Sequence, residues 1–409
     1  MLVTKMKKEI GADRRTIETG LVGIVQQVTN GGSMYIFNIK GVMIMLGFGL
    51  CATLLPMTLW GETGRELSPS NRLVVVNSGA ELNTAIEEIK AGDRIILEDG
   101  AYSGIALSQI RGTADMPIVF MARNSRQALI EGSVMGRNLR LSNCDYIEFY
   151  GIRFTGGEVW GVTLGPAYLK DTSSEGCRNV RFLDCEFDNA GQSLLIISGG
   201  SYAIDVINCD FHDSGNKPGA MKPYAEGIYV GQGASLKDRS HDILIKGNRL
   251  YRIGNEDNWG EAIDVKCQVY RVQVIDNIIW DVVVDSGGAI TVLADSTDYP
   301  VGLTDPDIVI SGNRIRGVRK RPGGWNGAGI CIGANGVLIS GNEVSETEGP
   351  SLLALTNAGN TSGTVKIYGN VFNGELVINR YGYYDGGNSV DVVFNNSSEE
   401  PAGATHELD

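Results

Sequence analysis

The octets Ile243–Leu250 (ILIKGNRL), Val272–Ile279 (VQVIDNII), Ile308–Ile315 (IVISGNRI), Val337–Val344 (VLISGNEV) and Val365–Phe372 (VKIYGNVF) repeat one phrase down the chain. Looser copies stand upstream at Ile147–Phe154, Val180–Phe187 and Ile204–Phe211, and Val390–Ser397 closes the series. Positions one, three and eight are apolar, but for Ser397 at the end of the last octet. The sixth reads Ile152, Cys185, Cys209, Asn248, Asn277, Asn313, Asn342, Asn370 and Asn395, at intervals of 24 to 39 residues. A repeat of this period marks a solenoid, and its alternating β-branched residues make the unit a strand. Strand, turn at Asn, then strand predicts an all-β, right-handed parallel β-helix of about ten coils, stacked about 4.8 Å apart. The Asn column is expected to form an internal amide ladder and to carry no chemistry.

The rest of the composition agrees. A chain of 409 residues would ordinarily divide into domains, but a solenoid lengthens without dividing. Gly is abundant at 55 and Pro modest at 11, which suits many tight turns. A net charge of −13 argues against nucleic acid as a partner. It leaves an anionic substrate open, since a bound cation reverses the local field. Cys185 and Cys209 fall in the ladder column and are expected to be small buried residues. No CxxC spacing supports zinc.

Gly41 to Trp60 is uncharged over its whole length, with Lys40 before it and Glu62 after. It reads as a signal peptide or signal anchor over 34–61, and is the only expected membrane contact. Residues 1–33 read as an extension from an upstream start codon, with Met34 the native start. The body is therefore expected to be exported: secreted, periplasmic or anchored. Residues 62–72 form a linker, 73–395 the β-helix domain, which is expected to be a monomer, and 396–409 a polar acidic tail without structure. Ser78-Gly-Ala-Glu81 is a capping box opening a short helix over Ala80–Lys90, the natural lid of the solenoid.

After this lid come RIILEDGAYSG from Arg94, RGTADMPIVFMARN from Arg111, ALIEGS from Ala128 and CDYIEFYGIRFTGG from Cys144. This order of parts, over Ala80–Gly157, resembles the first coils of chondroitinase B and its related alginate lyases. In the middle coils EGIYVG (from Glu226) and GEAIDVK (from Gly260) resemble a group of exported, uncharacterised β-helix proteins. GEAIDVK is also similar to the strand carrying the catalytic Lys of the chondroitinase B and alginate lyase family. That resemblance implies a Lys at position 266 and an Arg one coil on; the next coil here, GGAITVLADS from Gly287, has none.

Parity along GEAIDVK turns Ile263 and Val265 inward and places Asp264 and Lys266 together on the outer face. The coil before should put Tyr229 beside Asp264, and the coil after Thr291. Long loops surround this point and tend to line a solenoid's binding face. They supply Lys222, Asp257, Trp259, Arg319, Arg321 and Trp325. Tryptophan could stack on sugar rings, and the basic residues could hold carboxylate or sulfate.

β-Elimination from a uronate needs a base at C5, a neutralising charge at the adjacent carboxylate and an acid for the leaving oxygen. A Lys serves as base when burial or nearby cations lower its pKa. The expected assignment is Lys266 as base, with Asp264 orienting and Tyr229 or Arg271 assisting. Glu226, Asp257 and Glu261, with Asp264, are candidate ligands of calcium, which would polarise the substrate carboxylate. Trp259, Lys222, Arg319, Arg321 and Trp325 would bind substrate. Plainer readings stand beside these: Asp264–Lys266 as a solvated pair, Glu226 and Glu261 as backbone caps at a turn, and 319–321 as a solvated face. His212 reads as structural. No Gly-His-Gly, Asp-Pro-His-Glu or nucleophile elbow occurs. The expected function is cleavage of an acidic polysaccharide by a lyase. Alternatives are a non-catalytic glycan-binding or surface protein, or a glycoside hydrolase using Asp264 with Glu226 or Asp285.

Overall fold

The structure, a computed structural model, describes residues 21–29, 32–39, 42–47, 72–132, 134–167, 175–216, 224–232, 238–266, 269–293, 308–334, 336–355, 364–379 and 391–394. Lys222, Cys267, Asn395, the segment 294–307 and the tail from 396 lie outside the described residues.

Two compact units are present, Met1–Leu67 and Ser68–Asp409. In the first, Leu21–Thr29, Gly32–Ile39 and Val42–Gly47 form an antiparallel sheet. The start of the apolar stretch is thus a strand, and the rest of it, 48–60, lies outside the described residues. No described helix is long and apolar enough to cross a membrane.

The second unit winds three parallel sheets: a first of twelve strands, and a second and third of ten each. One coil runs His241–Lys246 in the first sheet, Arg249–Ile253 in the second and Ile263–Val265 in the third. Each strand pairs with its counterpart one coil away, as Ile243 with Val272 and Ile263 with Ile290. The octet is therefore a corner, joining a strand of the first sheet to one of the second.

Its fifth position explains the corner. Gly151, Asp184, Asn208, Gly247, Asp276, Gly312, Gly341 and Gly369 all hold φ between 54° and 67°. Only Gly, Asn and Asp visit this left-handed region readily, and no other residue type occupies position five in these eight octets.

The Asn column that follows is a continuous ladder. Asn277 Oδ1 accepts from both the backbone N–H and Nδ2 of Asn248, each at 2.9 Å. Asn313, Asn342 and Asn370 repeat the step at 2.9 to 3.0 Å. Upstream, Cys185 and Cys209 fill the column, fully buried, as small apolar residues. Inside the early coils Phe120, Phe149 and Phe182 stack at 5.3 and 5.0 Å between centroids. The lid helix is Gly79–Glu87, capped by Ser78 Oγ, which accepts from the Glu81 N–H, while Glu81 Oε2 accepts from the Asn77 N–H.

Candidate active site

The third sheet carries the residues that depart from plain repeat. Register sets Tyr229, Asp264, Thr291 and Cys331 side by side on consecutive coils, as parity predicts for the first three. On the opposite face Ile263 and Val265 enter the core with no exposed surface.

The outer face is not open at this point. Asp264 has no exposed surface, which removes the reading of a solvated Asp264–Lys266 pair. Its Oδ2 is ion-paired to Lys266 Nζ. Its Oδ1 is buried without a hydrogen-bond partner among the described residues. The Lys266 ammonium lies 5.2 Å over the centroid of the Tyr229 ring. Lys266 keeps 20% of its side chain exposed, so the pocket opens to solvent at Lys266.

Glu226 and Glu261 complete the pocket. Each lies two residues before its strand, Ile228–Val230 or Ile263–Val265, so strict alternation does not bind it. Each carboxyl accepts from its own backbone N–H and also faces Asp264: oxygens of Glu226, Glu261 and Asp264 all lie within 4.8 Å of one another. Ser193 Oγ, one coil earlier, donates to Glu226 Oε2 at 2.6 Å. Gly287 leaves room for Glu261 from the other side, since a Cβ there would press on Glu261 Oε1 and Thr291 Oγ1.

Three carboxyls and one ammonium out of water perturb one another strongly. Burial pushes the Glu261 carboxyl up to about 8, helped by the charge of Asp264. Burial and Asp264 raise Glu226 likewise. Burial also raises Asp264 itself, against the pull of Lys266. For Lys266, burial favours the neutral amine, but Asp264, Glu261 and Tyr229 outweigh it and hold the proton more firmly than usual. The lowered amine pKa expected of a resting base is therefore absent: the carboxylates around it prevail over desolvation.

Other expected members fall elsewhere. Arg271 belongs to Tyr270–Ile275 in the first sheet, around the corner from Lys266, and its Nε pairs with Asp242 Oδ1 at 2.5 Å. Asp257 is exposed in a turn, its N–H donating to Asn255 Oδ1, and is not among the clustered carboxyls. Arg319 lies in the second sheet and pairs with Asp281 at 2.8 Å. His212 lies in the second sheet: Nδ1 meets Asp213, Nε2 meets Glu186, and the ring stacks on Tyr251 at 4.8 Å. Trp259 and Arg321 do come together beside the pocket, with the guanidinium 3.8 Å over the indole.

This geometry can be set beside known proteins. Residues 76–166 match the chondroitinase B family model. Among solved structures, an alginate lyase from Paenibacillus sp. str. FPU-7 superposes with a TM-score of 0.55 at 19% identity, covering 76% of this chain and 100% of its own. The chain is a right-handed parallel β-helix. More distant β-helices include a mannuronic acid specific polysaccharide family 6 lyase from human gut microbiota, with a TM-score of 0.43, 16% identity and 75% of each chain covered. The pectate lyase Pel9A has a TM-score of 0.42 at 16% identity, with 82% of each chain covered. No curated protein matches this β-helix.

Proposed function

We propose that this protein is a polysaccharide lyase that cleaves a uronate-containing polymer by β-elimination at the Glu226–Glu261–Asp264–Lys266 pocket. The observation that carries the reading is a trio of carboxyls, Glu226 and Asp264 buried and Glu261 half-buried, with one ammonium among them. Such a group is costly to a fold, and perturbed buried acids gather where chemistry needs them. The names of the matching family model and of the similar alginate lyase agree with it.

The trio fits a divalent cation. Calcium takes carboxylate oxygens, and Asp264 Oδ1 is a buried acceptor with no hydrogen-bond donor among the described residues. Glu226, Glu261 and Asp264 would hold the ion, which when bound supplies positive charge against the substrate carboxylate. Lys266 can take the C5 proton only as the neutral amine, so its ammonium must first release a proton to solvent at its exposed edge. Asp264, when it holds a cation, pulls less on Nζ and so favours the release. Burial keeps the Tyr229 phenol protonated, and it serves as donor to the leaving oxygen.

The test is a screen over alginate, pectate and glycosaminoglycans with and without calcium. A lyase releases unsaturated uronate that absorbs in the ultraviolet, and chelation should abolish the signal. Reducing ends without that absorbance would instead indicate a hydrolase, a reading favoured by carboxyl oxygens within 4.8 Å, close to the retaining spacing of about 5 Å. Intact polymer that stays bound would indicate a glycan-binding protein.

Gly287→Ala gives a sharper check. Its methyl should displace Glu261 while leaving the strand pairing intact, because both obstructing atoms are side-chain ends. Calcium affinity by calorimetry should fall about tenfold or more, with a melting temperature near that of the parent. Unchanged affinity would remove Glu261 from the ligand set.

A further inference from the structure

We propose that Arg321, Trp259 and Trp325 form a subsite for the carboxylate of a second uronate ring, next to the acid pocket. The proposal rests on the reading above that the groove takes an acidic polysaccharide.

The Arg321 guanidinium is fixed flat. It lies 3.8 Å over the Trp259 ring centroid, and Nε is ion-paired to Asp285 Oδ1. That pair occupies one edge of the fork. At the other edge, Nη1 makes only a long contact, 3.4 Å, to Pro322 O, and Nη2 has no partner among the described residues. The side chain keeps 28% of its surface exposed. A planar fork with its Nη edge open, clamped by an indole and an acid behind it, is the geometry that receives a carboxylate through two parallel hydrogen bonds.

An aromatic surface flanks it. Trp325 is 66% exposed, and its N–H donates to Asp285 O at 2.7 Å, so it belongs to the turn that holds the clamp. Sugar rings stack on exposed indoles while their carboxylates stay solvated or paired.

The clamp is tied to the pocket on both sides. Trp259 stands two residues before Glu261. Asp285 stands two residues before Gly287, the glycine packed against Glu261. Two residues span at most about 7 Å, so the backbone of the clamp lies within that distance of Glu261 and Gly287, close enough for a ring adjoining the one at the pocket. Selectivity for uronate over neutral sugar follows, because the fork finds no partner on a neutral ring.

The test compares the parent with Arg321→Gln, Arg321→Lys and Trp325→Ala, using short oligomers of galacturonate and mannuronate and neutral cello-oligomers. Calorimetry reads binding, ultraviolet absorbance reads cleavage and thermal melting reads folding. Arg321→Gln should weaken uronate binding about 10- to 100-fold and raise KM more than it lowers kcat, without affecting neutral oligomers. Arg321→Lys should recover part of this at most, since an ammonium lacks the fork. Trp325→Ala should weaken all oligomers that bind. Parent-like uronate binding by a folded Arg321→Gln overturns the subsite. If that variant fails to fold, parent-like binding by both Arg321→Lys and Trp325→Ala overturns it. A parent that binds uronates through Arg321 but cleaves none keeps the subsite and sinks the lyase reading. A parent that neither binds nor cleaves any uronate oligomer sinks both.

Discussion

Lys266→Met is expected to lower stability by about 3–5 kcal/mol and to abolish cleavage of acidic polysaccharide. Asp264 has no exposed surface, and among the described residues the Lys266 ammonium is the one group that compensates its charge. Removing it leaves a buried carboxylate beside two further carboxyls. Asp264 must then protonate or the strand must open to water. The double variant Lys266→Met/Asp264→Leu separates the two effects, because an apolar pair of similar volume often replaces a buried ion pair at little cost. It should regain most of the stability and none of the activity. Denaturant unfolding and ultraviolet product release measure the two. A single variant as stable as the parent would show that Lys266 does not compensate Asp264. Full activity in Lys266→Ala on a confirmed substrate would show that another group takes the C5 proton.

Asn277→Ala is the second large effect, and it concerns the scaffold alone. The Asn277 side chain accepts twice from Asn248 and donates to Ile245 O and Asn313 Oδ1. Alanine leaves the buried Asn248 N–H without its acceptor and deletes the side-chain bonds to Asn248 Nδ2, Ile245 O and Asn313 Oδ1. At about 1–3 kcal/mol for each orphaned group, the loss should be about 2–5 kcal/mol. In a solenoid such damage falls on one interface, so the coils beyond it should lose hydrogen-exchange protection first. Cys185→Ala is the contrast. Its sulfur makes weak contacts at 3.5 Å with Phe149 O and Leu183 O and meets the Cys209 thiol of the next coil, so the cost should be close to that of a small cavity. Equal losses from both variants would mean that the ladder amides contribute no more than packing.

These expectations also mark how far sequence reaches. The register of Tyr229, Asp264 and Thr291 was legible because a parallel coil fixes partners once the inward parity of Ile228, Ile263 and Ile290 is known. The ladder was legible because Asn recurs at one position of the octet. What escaped depends on packing between segments distant in sequence. Glu226 and Glu261 share the parity of core residues, yet they stand before their strands and turn toward Asp264. Burial of the Asp264–Lys266 pair has no local signature. Arg271 seemed near Lys266 because only five positions separate them, but a corner intervenes and sends it to another sheet. The stacking of Arg321 on Trp259 joins loops of different coils, and only the abundance of Trp and Arg in those loops hinted at it. Ser193 and Gly287 carry no motif; aligning each coil on its neighbour would have placed Ser193 directly above Glu226.

The uneven spacing of the octets has a consequence for how such a protein can change. Distances between groups on the third sheet come in whole steps of the strand spacing, about 4.8 Å, whatever the length of the intervening loop. The 39 residues between Cys209 and Asn248 and the 29 between Asn248 and Asn277 yield the same step. Reactive geometry and specificity are therefore inherited separately. A loop can be lengthened, exchanged or rebuilt around Trp259 and Trp325 to admit a new polymer, while Glu226, Glu261 and Asp264 stay in place.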